Sequence, residues 1–194
     1  MSTELASWFS HVCGQHPAHI WAPATNALCC CQRCTGLYLG ALVGLLAHLG
    51  LRPRLDGRFL GLHGWFLAAM VPLGFHWVPQ GPLLRTTSGF VFALALMTYF
   101  RLPGEEPGTA GAMGAVPASR AATRRYWFAV LLALTVTLGL AGSSLAWAAT
   151  VLNVGICLGA LVLIGAVGTT MVRGLAAGRG WIGIRSHLTE PKHA

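Results

Sequence analysis

The stretch NALCCCQRCTGLYLGALVGLLAHLG, residues 26–50, decides how this chain is read. Four cysteines fall between Cys29 and Cys34, and from Thr35 onward no charged residue appears until Arg52. The apolar part suits a helix that crosses lipid, which needs about 20 mostly apolar residues. Gly36, Gly40 and Gly44 repeat every four positions and so share one face of that helix. A thiol-dense segment therefore stands at the mouth of a membrane helix, where it serves as a metal knot, a redox pair or a set of disulfides.

Composition supports the membrane. Of 194 residues, 55% are hydrophobic and only 9% charged, with a mean hydropathy of +0.63. A water-soluble domain carries about 25% charged residues, so this chain cannot clothe a surface facing water. The spacing of apolar runs predicts an all-α integral membrane protein, a five-helix transmembrane bundle with spans at 35–52, 59–78, 83–100, 126–147 and 150–172. Residues 1–34 form an extracytoplasmic Cys/His-rich N-terminal cap, 35–172 the transmembrane bundle in the lipid bilayer, and 173–194 a cytoplasmic tail. Residues 103–119 are rich in Pro, Gly and Ala and read as a linker. No β-barrel alternation occurs. Glu4 and the lack of a basic start predict no cleavable signal peptide.

Charge sets the expected orientation. The net charge is +8, yet the arginines sit between apolar runs rather than in a patch with aromatics, which excludes nucleic acid as a partner. With five crossings, eleven of the thirteen Lys and Arg fall on one face, which the positive-inside rule makes cytoplasmic. The N-terminus and its cysteines are then outside and the C-terminus inside. Arg33 and Arg85 are the two exceptions, both on the outer face.

Within the cap, Leu5, Trp8, Phe9 and Val12 recur at helical spacing and predict a short amphipathic helix. It either lies in the membrane interface or packs on the bundle. Pro17 and Pro23 break any longer helix. Cys13-x2-His16 and Cys31-x2-Cys34 form two chelating pairs, the pattern of a four-ligand structural zinc site. Cys29, Cys30 and His19 offer rival ligands. In the redox reading, Cys31 and Cys34 form a C-x-x-C around Arg33, where a nearby cation and a helix N-terminus favour thiolate. That arrangement is shared with quinone-linked enzymes that make disulfides. Plain disulfides are the third reading, suited to an oxidising compartment but left with an odd thiol among the five N-terminal cysteines. Cys157, inside the last span, reads as a small core residue.

These residues carry a resemblance. VCGQHPAHIW followed by CQRCTGLYLG is similar to the domain of unknown function 2085 family of bacterial membrane proteins. Cys31, Arg33, Cys34, Thr35, Gly36, Tyr38 and Gly40 match its second motif, and Cys13, Gln15 and Pro17 its first. A later Arg-x-x-x-Gly corresponds to Arg85 and Gly89. Where the family has His after the first Cys, this chain has Gly14; if that His is a metal ligand in relatives, the resemblance implies that His16 or His19 replaces it here or that the site is lost. The resemblance covers about the first half of the chain and implies the bacterial inner (plasma) membrane, with no activity attached.

Other features yield smaller expectations. The Gly36/Gly40/Gly44 face, like Gly155 and Gly159 in the last span, packs against a neighbour, either within the chain or on another membrane protein subunit. His76 and Arg85 bracket an outer loop, and His48 and His63 are a conceivable haem pair. Asn153 reads as an interhelical hydrogen bond. No hydrolase triad, phosphate loop or paired carboxylate appears, and the five acidic residues all lie outside the spans. Two functions follow: an accessory or assembly subunit with a metal-stabilised cap, or a thiol–disulfide oxidoreductase passing electrons from Cys31 and Cys34 to a quinone.

Overall fold

The computed structural model describes residues 2–75, 77–101 and 119–188. His76 and most of the 103–119 linker lie outside them. The described residues are helical, without a β-strand. Helix α1 spans Ser2–Ser10, α2 Gln32–Leu51, α3 Gly57–Gly74, α4 Pro82–Arg101, α5 Arg120–Ala141 and α6 Ala148–Leu188. Two single 3-10 turns, Pro17–His19 and Pro23–Thr25, lie between α1 and α2. Four helices are long and apolar enough to cross a membrane: α2, α4, α5 and the Ala148–Leu175 part of α6. Helix α3, at 18 residues with Arg58, His63 and Pro72 inside it, falls outside that group, unlike the expected span 59–78.

Local chemistry places the ends. Helix α2 stops at Arg52, which takes a left-handed conformation (φ 46°) before Pro53. Asp56 caps α3 by accepting from the Phe59 N–H at 2.9 Å, and Ser119 caps α5 by accepting from the Ala122 N–H at 3.0 Å. Pro82 opens α4, where its missing N–H costs nothing. Helix α6 does not end with the membrane segment. Its backbone runs on to Leu188, so most of the expected 173–194 tail is helical; no proline interrupts it before Pro191.

The helices alternate in direction, so every second junction falls at the same end. At one end, which we call the cysteine end, Arg33 reaches the Leu73 carbonyl, Trp21 reaches Thr86 and the Ala24 N–H meets the Ser143 carbonyl. At the opposite end the Arg54 N–H donates to Thr123 Oγ1 at 3.1 Å, and Arg52, Ser119 and Arg125 line one cleft. The basic loops thus gather away from the cysteines.

Helix α2 is the hub. Its closest neighbour is α4, followed by α6 and α5. A Cβ on Gly40 would stand 2.8 Å from Phe90 Cα, and one on Gly36 2.9 Å from the Phe90 nitrogen. Gly89 of α4 returns the fit, lying against the Arg33 carbonyl. From the other side Gly159 of α6 receives Tyr38, with 3.1 Å left between its would-be Cβ and Tyr38 Cα. The glycine face offered above to partner subunits is therefore filled by this chain's own α4. Exposed Leu131, Leu161 and Ile164 on α5 and α6 form the outer surface, as lipid requires and water would penalise.

Candidate metal centre

The cap is fastened to the bundle by buried Phe9, Leu28, Cys29 and Cys30 and by a set of single hydrogen bonds. Phe9 is 9% exposed and packs on Tyr38 with ring centroids 5.3 Å apart, while Trp8 is 77% exposed. Only half of the predicted apolar stripe, Leu5 and Phe9, faces the protein; Trp8 and Val12 face outward. The Gln15 amide donates to the Ala6 carbonyl at 2.6 Å and the Cys29 carbonyl at 2.9 Å, tying α1 to the cysteine run. The Trp21 indole donates to Thr86 Oγ1 at 2.8 Å, and the Cys29 N–H donates to Asn153 Oδ1 at 3.0 Å. Ile20 and Cys31 pair as an isolated antiparallel bridge.

These ties bring Cys13, Cys31 and Cys34 together, with all three sulfurs within 4.8 Å of one another. Cys13 arrives from the turn after α1, Cys31 is the N-cap of α2, and Cys34 lies one turn into it. Cys13 is buried, whereas Cys31 and Cys34 are half-buried. The Cys31 N–H donates to Cys13 Sγ at 3.2 Å, the kind of hydrogen bond that supports a metal-bound thiolate. Zinc–sulfur bonds of about 2.3 Å in a tetrahedron set sulfurs about 3.8 Å apart, inside the observed limit. The donor set and its spacing fit a thiophilic cation.

The thiols are not equivalent. A hydrogen bond from the Cys34 thiol pulls Cys31 down to about 5, outweighing the effect of its burial. Burial raises Cys13 against the opposing backbone hydrogen bonds. Cys29 and Cys30 form a separate buried pair: Cys30 hydrogen-bonds Cys29 and lowers it, and is itself raised. All six cysteines are unbonded, so none of the expected disulfides is present.

His16 stands outside the trio. Gln15 takes a positive φ of 40°, and Pro17 starts a 3-10 turn at once, so the chain turns away after Cys13. The His16 ring is exposed and stacks on His19, with centroids 4.8 Å apart. Arg33, the nearby cation of the redox reading, directs its guanidinium to the Leu73 carbonyl at 2.9 Å and Gln80 Oε1 at 2.6 Å. Sequence reasoning treated Asn153 as a generic helix contact, and its partner is the cysteine run itself. His48 bonds Thr98, and His63 bonds Tyr126 and the Phe59 carbonyl, which puts both in an aromatic cluster toward the opposite end.

No family model matches the chain, and no curated protein or solved structure does either.

Proposed function

We propose that this is a multi-pass membrane protein whose N-terminal cap is fastened by a zinc ion held on the thiolates of Cys13, Cys31 and Cys34. The observation that carries it is the convergence of three sulfurs from two elements eighteen residues apart in sequence, one of them accepting a backbone N–H. The ion would add a cross-link between the end of α1 and α2 to the apolar packing of Phe9, Leu28, Cys29 and Cys30 in the core, because binding free energy at such a site is folding free energy. With His16 outside the set, a water would complete the coordination of the ion. The resemblance to the domain of unknown function 2085 family extends the same reading to the bacterial inner membrane. Helix α3 completes five crossings in it, which leaves the cysteine end outside and the basic end in the cytoplasm. An accessory or assembly role suits a site that locks a cap rather than one that turns over substrate.

Metal analysis of the purified protein tests this. One zinc per chain is expected, lost in Cys13→Ser and in Cys34→Ser and kept in His16→Ala. Metal content unchanged in both serine variants rejects the site. A cytoplasmic reporter fused after Ala194 is expected to be active; activity of a periplasmic one instead rejects five crossings in this orientation.

One observation favours a redox reading in second place: Cys31 and Cys34 are partly open and unbonded while Cys13 is buried. A substrate thiolate would open a Cys31–Cys34 disulfide at Cys31, with Cys34 leaving as thiolate. A second substrate thiolate would then displace Cys31, leaving the substrate oxidised and the pair reduced with two electrons to pass to a quinone. Trapping a mixed disulfide on Cys31 in Cys34→Ser would favour it. The quinone half of that reading finds no supporting feature.

A further inference from the structure

We propose that Arg33 and Arg85 hold the phosphate of an anionic lipid at the cysteine end. Charge distribution raises the question. Apart from Arg33 and Arg85, the basic residues with a described backbone belong to the opposite end or to α6 beyond it. Neither arginine extends freely into solvent. Both are half-buried, and the Nε of each is buried without a hydrogen-bond partner among the described residues. A cation so placed needs a counter-charge, since burying one unpaired is costly. The described acidic groups do not supply it. Glu4 is exposed on α1, and Asp56 caps α3 at the far end.

The fold brings the two together. Gly89 lies directly against the Arg33 carbonyl, and Arg85 sits one turn before Gly89 on the same face of α4. Helical side chains lean toward the N-terminus, so Arg85 leans toward the cysteine end. Arg33 is steadied there by Gln80, which itself donates to the Leu73 carbonyl at 2.6 Å. Guanidinium groups present parallel N–H donors that match two oxygens of a phosphate. The surroundings select the source of that phosphate. Phe75 and Trp77 stack 5.8 Å apart, and with Val78, Leu83 and Leu84 they are exposed beside the arginines. Such a rim suits acyl chains and interfacial rings rather than a free anion.

The experiment is native mass spectrometry of the full chain in detergent, with phosphatidylglycerol, phosphatidylcholine or inorganic phosphate added, and with thermal stability read in parallel. One retained phosphatidylglycerol is expected, bound about tenfold more weakly by Arg85→Gln and unchanged by Arg58→Gln at the opposite end. Arg85→Lys keeps the charge but not the fork and is expected to fall between them, which also covers failure of the glutamine variant to fold. Equal retention by wild type and both Arg85 variants, or equal retention of phosphatidylcholine, overturns the site. The same Arg85-dependent stabilisation from inorganic phosphate alone overturns the lipid as occupant.

Discussion

Along the seam of α2 and α4, backbone meets backbone over Gly36, Gly40 and Gly89 for about two turns. In the cap, residues 13–31 reach the same bundle by burying Leu28, Cys29 and Cys30 and through single polar ties: the Trp21 indole, the Ala24 N–H, Asn153 and a cluster of thiols. The seam is a continuous surface, so its strength is spread over many weak contacts and it tolerates no added volume. The cap adds discrete side-chain ties that converge on the thiol cluster, so loss of a single tie is expected to reach the metal before it reaches the seam. Two different kinds of damage should therefore be seen.

The largest effect is expected at the seam. Gly40→Leu drives a side chain into the Phe90 backbone, where there is no flexible atom to give way. A loss of about 3 kcal/mol is expected, at the upper end of ordinary overpacking, seen as a lowered Tm in detergent with metal retention falling in step. An unchanged Tm would mean that the seam is not closed in the folded protein.

Asn153→Leu comes next. It leaves the buried Cys29 N–H without a partner, at a cost of about 2 kcal/mol. The bundle should stay assembled while zinc affinity drops, because Asn153 holds the cysteine run and not the helix seam. If Tm falls with metal affinity untouched, the cap and the site are not coupled in this way.

How far these regions can be read from sequence differs for the same reason. A seam built on period-four glycines is written locally, and so are the apolar runs that became α2, α4, α5 and the first part of α6. Cys31 and Cys34 share one helical turn, so their pairing was equally visible. The rest of the site is made by distant residues meeting. Cys13 was legible as half of a chelating pair, but its partner at position 16 was read from spacing alone. The positive φ at Gln15 and the turn opened by Pro17 carry His16 away, and no spacing rule encodes that reversal. The bonds from Cys29 to Asn153 and from Trp21 to Thr86 span most of the chain or the whole of α2 and α3, with no local pattern to announce them. Helix α3 is the least legible of the expected spans, because His63 and Pro72 dilute the apolar content of a helix only 18 residues long.

The smallest effects separate the two regions most finely. Gly44→Ala meets the Met97 side chain at 3.1 Å, a flexible neighbour, and is expected to cost about 1 kcal/mol or less. Trp21→Phe keeps the ring and removes one hydrogen bond to Thr86, again at about 1 kcal/mol. The two should match in Tm but differ in metal retention, with only the tryptophan variant releasing zinc more readily to a chelator. Equal release would remove the distinction between seam and cap.

X-ray absorption at the zinc edge of the purified protein tests the central claim most directly. Three sulfur neighbours at about 2.3 Å and one lighter oxygen or nitrogen neighbour are predicted, reduced to two sulfurs or to no bound zinc in Cys13→Ser. A first shell of oxygen and nitrogen alone, or one unchanged by Cys13→Ser, would contradict a site built on Cys13, Cys31 and Cys34.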